Sequence, residues 1–510
     1  MNTYTITTQP LFDQKPAHYV FFLHEGFSQE SISKELVDLI TLYLPNLFVL
    51  FRQKKFTGKR SDQLAIPIQI DGRIKYCIFV GIGKQDTEWV KKLELYRRAI
   101  GHAVQIADIH GCAQLAFSLI AQDWVGIPLT QLVEQTVIIA NMSTYRFNEY
   151  LTPDDDPIER VCDIIICVTE AQEKEANEGL RIGSIISLSI NKARHWVDCP
   201  PSDLTPGIFA HKAVHISQEH NLKCTVFSEE EIIAMGMGGL AGVSRGSDQD
   251  CKLVIMKYET TDQDAPTIAI VGKGITFDSG GLSLKPANYM ETMKEDMSGA
   301  AAVIATMEAI AQLKPNVNVI GVTPLSENLP SGKATKPGDI LRFYNGKTAE
   351  VKNTDAEGRL ILADALSYVA KEYKPDAIID LATLTGACSY ALGPYYSGLM
   401  SQHDDLCSQI EDAAEISGDF VWRLPMGDDY KAAIKSDVAD ICNIGSPTIK
   451  AGAITAAHFL QHFVGDIPWA HLDIAGTAFD VPNISYYKTG ATGVGVRLLV
   501  ELLTNWERKE

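Results

Sequence analysis

Apolar residues along the chain fall into two kinds of run. Short β-branched or aromatic runs bounded by turn residues alternate with longer stretches whose apolar positions recur every three or four residues. Up to about residue 168 this pattern predicts strands at Tyr19–His24, Leu47–Phe51, Ala65–Ile70, Tyr76–Gly81, Leu115–Leu119, Thr136–Met142 and Cys162–Val168, with helices at Ser31–Leu42 and Thr87–His110. The longest apolar-looking run, Leu36 to Phe51, is broken by Asp38 and Pro45, so it reads as helix, turn and strand and not as a membrane span. Thr169 then opens a long helical pattern that reaches about Trp196. Thr169 and Gln172 fit a capping box, acidic residues fill the first turns, and Lys192 and Arg194 fill the last, as the helix dipole prefers. Pro200-Pro201 closes this connector.

Beyond it, strand-like runs at Lys223–Phe227, Leu253–Tyr258, Thr267–Val271, Val317–Thr323 and Ala377–Leu381 alternate with helical patterns at Pro206–Glu219, Met297–Leu313 and Leu360–Tyr373. The expected fold is α/β in two domains. A smaller N-terminal α/β domain (1–168) and a connecting helix (169–196) precede a larger C-terminal α/β/α sandwich (197–510) with a mixed, largely parallel central sheet. Ligands in such sheets bind beyond the carboxyl ends of the strands. The glycine-dense Gly236–Gly246 reads as a shaped loop near that end, and Asp154-Asp155-Asp156, between two prolines, as an exposed turn.

Composition narrows the class. Hydrophobic content of 46% and charged content of 21% describe a soluble globular protein, and a net charge of −19 disfavours nucleic acid as a partner. Ten cysteines are scattered with no CxxC, which suggests reduced, mostly buried thiols and a cytoplasmic home; Cys162 and Cys167 are expected in the core. Met1 to Gln14 has neither the basic start nor the apolar core of a leader peptide.

Two stretches carry chemistry. Asn353-Thr354-Asp355-Ala356-Glu357-Gly358-Arg359-Leu360 sets two carboxylates and a guanidinium where a loop enters a helix. A close carboxylate pair with no salt bridge calls for a cation, and a helix N-terminus favours an anion near Arg359. The plainer alternatives are an acidic turn capping a helix, and Arg359 as a salt-bridge partner of Asp355. The second stretch, Val271 to Lys285 and on to Asp296, follows a strand and holds Lys273, Asp278, Lys285 and Asp296 around a glycine-rich loop. It lacks the third glycine of a dinucleotide fingerprint and the Gly-Lys-Ser/Thr of a P-loop. Taken alone, Lys273 would read as a surface or phosphate-binding lysine.

These two stretches, with Gly299-Ala300-Ala301 and Leu381-Ala382-Thr383-Leu384-Thr385-Gly386-Ala387, resemble the signature segments of the leucyl aminopeptidase (cytosol aminopeptidase) family, the two-metal peptidase family M17. The resemblance runs from about Lys192 to the C-terminus. It implies a macro-like N-terminal domain, a homohexamer, and two divalent ions, zinc or manganese, held by Lys273, Asp278, Asp296, Asp355 and Glu357. Asp278 and Glu357 would bridge the ions, which would hold a hydroxide between them. Lys285 would stabilise the oxyanion, and Arg359 would hold bicarbonate as the general base. The first side chain of a peptide with a free N-terminus would enter a pocket of Met293, Thr383, Leu384, Gly386 and Ala475. Ala478 stands where relatives often carry methionine, which suggests a wider floor and a broad preference for leucine and other neutral residues. The twelve histidines form no HExxH, and His471 reads as core or a neighbour of the site. The other function classes in view are a binding protein on the same scaffold, DNA-binding for instance, and a two-metal phosphatase.

Overall fold

The computed structural model describes residues 2–30, 32–84, 88–119, 122–152 and 160–507. The chain forms two compact units: residues 1–188 with 482–488, and residues 189–481 with 489–510. The long helix Glu173–Asp198 contributes to both, and Thr169 caps its approach by donating its backbone N–H to the Gln172 side chain at 3.1 Å.

The first unit is built on a six-stranded sheet. Its strands run in the order Thr3–Thr7, Asp163–Cys167, Gln114–Ser118, His18–His24, Arg73–Gly83 and Gln63–Ile70. Every pairing is parallel except the last, which closes an antiparallel hairpin at the edge. One face is covered by an aromatic cluster that includes Phe21, Phe51, Phe56 and Phe79.

The second unit holds a nine-stranded sheet. The order is Val421–Arg423, Ser397–Met400, Trp469–Asp473, Ala377–Ala382, Thr267–Gly272, Asn318–Asn328, Lys252–Tyr258 and Lys223–Phe227, with Gly274–Asp278 pairing beside the end of Asn318–Asn328. Its four central strands are parallel, and antiparallel pairings lie outside them. The helix Gly358–Glu372 packs over this sheet in the main core, where Leu360, Ile361, Leu362, Ala365, Leu366 and Val369 are all buried. A separate small sheet pairs Ile340–Arg342, Thr348–Glu350 and Ile441–Cys442.

The architecture is the two-domain α/β arrangement expected, with local corrections. Leu47–Phe51 is not a strand; it lies in the helix Leu47–Gln53, where Leu47 and Phe51, one turn apart, are the buried pair. Thr136–Met142 belongs to the helix Leu129–Thr144, which is buried nearly all round and therefore shows no alternation of period two or clear helical stripe. Gly236–Gly246 is mostly the helix Gly238–Ser244. Its glycines permit contact between backbones: a Cβ on Gly239 would lie 2.3 Å from the Leu360 carbonyl. Cys162 is exposed and Cys167 half-buried, while seven of the ten cysteines are buried. The turn at Asp154-Asp155-Asp156, and the expected helix starts at Ser31 and Thr87, lie outside the described residues; those helices are seen as Lys34–Leu42 and Trp89–Ile109. Among the described residues no helix is long and apolar enough to cross a membrane.

Candidate active site

Three chain segments meet at the carboxyl ends of the central strands. Thr267–Gly272 and Ala377–Ala382 are parallel neighbours, and Gly272 stands opposite Leu381. Lys273 follows the first strand and Thr383 the second, so the two emerge side by side; the Lys273 N–H donates to the Leu381 carbonyl at 3.0 Å. Backbone contact sets the third approach. A Cβ on Gly299 would meet the Leu381 carbonyl at 2.2 Å, and one on Gly272 would meet the Gly299 carbonyl at 2.3 Å. Only glycine lets the helix Ser298–Leu313 start this close, and that start brings Asp296 to Lys273. Asp278 ends the strand Gly274–Asp278, opposite Asn328, and the chain then turns through Gly280 at φ +86° and Gly281 at φ +63° toward Lys285.

The result is a compact ionic cluster. Lys273 Nζ lies 2.6 Å from Asp296 Oδ1 and 2.9 Å from Glu357 Oε1, and it donates to the Thr383 carbonyl at 3.0 Å. Lys285 Nζ lies 2.8 Å from Asp278 Oδ2 and 2.6 Å from Asp355 Oδ1. Asp278 Oδ1 also accepts from Gly280 N–H and from Asn328 Nδ2, at 2.8 and 2.7 Å, and Thr383 Oγ1 donates to Asp296 Oδ1 at 2.8 Å. Gly358 explains why glycine follows Glu357: a Cβ there would lie 2.4 Å from Lys273 Cε. The lysine stem therefore passes across the start of the Gly358–Glu372 helix.

Oxygens of Asp278, Asp296 and Glu357 lie within 4.8 Å of one another, and all three residues are buried. Asp296 Oδ2 and Glu357 Oε2 are buried with no hydrogen-bond partner among the described residues. Burial followed by repulsion from Glu357 raises the Asp278 carboxyl to about 6. Burial also raises Asp296 well above the usual carboxylate range, although Lys273 works the other way. Burial would raise Glu357 too, but Lys273 and Lys285 outweigh it and hold this carboxyl low. Lys273 shows the reverse balance: burial opposes its charge, and Asp296, Glu357 and Asp278 overcome it, so the ammonium is favoured. Orphaned carboxylate oxygens in a dry cluster of hard donors fit divalent cations. Lys273 could join such a ligand set only as a neutral amine.

The cluster forms the floor of an open cavity of about 810 Å³. The candidate ligand, catalytic and first-residue positions line it: Lys273, Asp278, Lys285, Asp296, Asp355, Glu357 and Arg359 on the ionic side, and Met293, Thr383, Leu384, Gly386 and Ala475 elsewhere on the wall. Arg359 is not paired with Asp355, which Lys285 holds. Its Nη1 donates to the Asn443 carbonyl at 2.9 Å, its Nε has no partner among the described residues, and burial lowers the guanidinium to about 10. Ala478 does not line the cavity; it is buried, and its carbonyl accepts from Thr492 Oγ1 at 3.1 Å, so the expected widening of the floor has no basis at that position. His471 is fully buried behind the wall, with Nδ1 2.6 Å from Asp380 Oδ1.

Sequence reading missed several contributors. Asn328 ties Asp278 to the Thr354 carbonyl, to which it donates at 3.1 Å. Asp473 is completely buried and gathers the wall: it accepts from Thr385 Oγ1 at 2.6 Å and from the N–H groups of Leu384, Thr385 and Ala475 at 3.2–3.4 Å. Tyr289, Tyr390 and most of the segment from Ile444 to Gly452 also line the cavity. Asp473 ends the strand Trp469–Asp473 opposite Ala382, a placement that only the folded sheet shows.

Residues 191–500 match the catalytic domain of the cytosol aminopeptidase family, and residues 30–154 match that family's N-terminal domain. The chain belongs to the cytosol aminopeptidase family. It is 46% identical over 489 residues to a probable cytosol aminopeptidase of Roseiflexus castenholzii, covering 94% of this chain and 95% of that one. A second probable cytosol aminopeptidase, from Alkaliphilus oremlandii, is 41% identical over 463 residues, with 90% and 91% covered. Among solved structures, the bottromycin maturation enzyme BotP in complex with Mn superposes with a TM-score of 0.82 at 30% identity, covering 96% of this chain and 99% of that chain. As a cytosol aminopeptidase family member the chain is a peptide hydrolase, and the cavity described above lies within its catalytic domain.

Proposed function

We propose that this aminopeptidase is a two-metal enzyme that removes leucine and other neutral residues from peptides with a free N-terminus. One observation carries the reading: three buried carboxylates, Asp278, Asp296 and Glu357, converge within 4.8 Å on the floor of a cavity large enough for a peptide end. With Lys273 and Asp355 they would hold two divalent ions, zinc or manganese, which supply Lewis acidity toward the scissile carbonyl and a water at neutral pH.

The chain's own groups then divide the work. Lys285, anchored between Asp278 and Asp355, keeps a positive charge at the floor and would face the oxygen that gains negative charge during attack. Arg359 lies in the first turn of the Gly358–Glu372 helix with an unpartnered, buried Nε, an arrangement that suits a small anion such as bicarbonate. That anion would take the proton that the cluster's carboxylates, committed as ligands, cannot. Met293, Thr383, Leu384, Gly386 and Ala475 offer the first side chain a mixed, mostly uncharged wall, which favours neutral residues over charged ones. The decisive experiment is release of the chromophore from leucyl p-nitroanilide with manganese. Activity should vanish on chelation, return on adding the ion back, and be lost when the substrate amine is acetylated; equal cleavage of the acetylated substrate would sink the reading.

A further inference from the structure

The loop that carries Asp355 and Glu357 has no regular secondary structure of its own, so its backbone polar groups need partners from elsewhere. Many of them are supplied by one distant side chain. Asn443 is fully buried. Its Oδ1 accepts from the N–H groups of Lys352 and Asn353 at 2.8 and 3.4 Å, and its Nδ2 donates to the carbonyls of Asn353 and Ala356 at 2.6 and 3.3 Å. A primary amide has two donors and two acceptor sites, and here all four serve a single loop. The backbone of the same residue adds two contacts: its N–H donates to the Glu350 carbonyl at 3.0 Å, and its carbonyl receives Arg359 Nη1 at 2.9 Å. Asn443 is placed by the strand Ile441–Cys442, which runs parallel to Thr348–Glu350 just before the loop.

We infer that Asn443 is a positioning residue for the reaction, a clamp that fixes the Asp355 and Glu357 carboxylates and the Arg359 guanidinium in one rigid frame. This rests on the function proposed above. Ala356, which the clamp grips, sits between the two acidic residues, so slack there moves both. Arg359 hangs from the same residue, so the cation side and the anion side of the site share one support. The first-residue wall at Leu384, Thr385 and Ala475 is held separately by Asp473, with no bond to Asn443.

The test uses the full-length enzyme with Asn443→Asp and Asn443→Ala. Asn443→Asp keeps the shape but turns acceptor oxygens toward the carbonyls of Asn353 and Ala356. A misplacement of about an ångström at a reacting centre costs on the order of a hundredfold. Both variants should therefore lose about that factor in kcat on leucyl p-nitroanilide while KM changes less than about threefold. Manganese affinity, read by electron paramagnetic resonance titration without substrate, should weaken by roughly 10- to 100-fold. Folded variants with wild-type kcat and wild-type manganese affinity would overturn the inference. So would a loss of activity that merely tracks a loss of folded protein by circular dichroism, with kcat per folded molecule unchanged. If Asn443→Asp does not fold, Asn443→Ser, which is smaller and keeps a hydroxyl, is read by the same criteria. A wild-type enzyme that fails to cleave the anilide would sink the proposed function instead, and the manganese titration would still judge the clamp.

Discussion

In the first unit, the sheet buries rings. Phe21 stacks on Phe79 at a centroid distance of 5.4 Å, and Phe51 sits 5.0 Å from both Phe79 and Phe56. In the second unit, a sheet of the same kind, parallel at its centre, buries ions at its strand ends: Lys273, Asp278, Asp296 and Glu357 are all nearly inaccessible. Ring contacts improve with packing alone. Buried ions cost desolvation, and a carboxylate oxygen with no partner returns nothing to stability. One plan thus serves two ends. The rings on the first sheet satisfy one another by packing, while the second sheet keeps an unmet demand for positive charge where a substrate can reach it.

The contrast breaks most completely at the floor. Glu357→Ala removes a buried carboxylate that faces Lys273, and kcat should fall by at least about a thousandfold, with chelation of the wild type matching it. An active Glu357→Ala enzyme would show the buried ions to be structural. Gly358→Ala comes next. Its Cβ would press on Lys273, which Asp296, Glu357 and Thr383 already pin, so kcat should drop about tenfold to a hundredfold. Asp473→Ala sharpens the division between floor and wall: loss of the one acceptor of three N–H groups loosens Leu384, Thr385 and Ala475, and KM for leucyl substrates should rise about tenfold with kcat changed little. An equal fall in kcat would merge wall and floor. Phe51→Ala tests the other sheet and should cost about 3–5 kcal/mol of stability, measured by denaturant unfolding, with kcat per folded molecule unchanged.

A pH effect should separate the units further. Burial raises the Asp364 carboxyl in the second unit to about 7, even though it accepts N–H bonds from Leu240 and Tyr344 at 2.9 and 2.8 Å. Below about pH 4 this group is protonated both folded and unfolded. Between about 4 and 7 the folded chain keeps the proton and the unfolded chain has lost it, so this contribution to stability declines as pH rises through that window. Thermal unfolding followed from pH 4 to 8 should show that slope, and Asp364→Asn should flatten it.

How much of this the sequence discloses depends on whether the chemistry is contiguous. Asn353 to Arg359 and Lys273 to Lys285 each place several functional groups within one short loop, and both loops follow recognisable turns in pattern, so the site was legible there. Asn443 and Asp473 were not, because their side chains bond mostly to backbone groups that no side-chain pattern encodes. The misread elements share a cause as well. Leu47–Phe51 is an unbroken apolar run, for which periodicity cannot distinguish strand from helix, and Thr136–Met142 is rich in β-branched residues yet buried on every side of its helix. Glycine density makes Gly236–Gly246 read as a loop, whereas most of it is helix and Gly239 serves close approach to the Leu360 backbone.

The two lysines carry one further implication. Lys273 and Lys285 each bridge a pair of acids that would otherwise repel one another across a dry floor. Each lysine therefore ties separate segments together: Lys273 joins Asp296 to Glu357, and Lys285 joins Asp278 to Asp355. A divalent ion bound there would need Lys273 as a neutral amine, so its uptake would release a proton and be favoured at higher pH, which a pH electrode could follow.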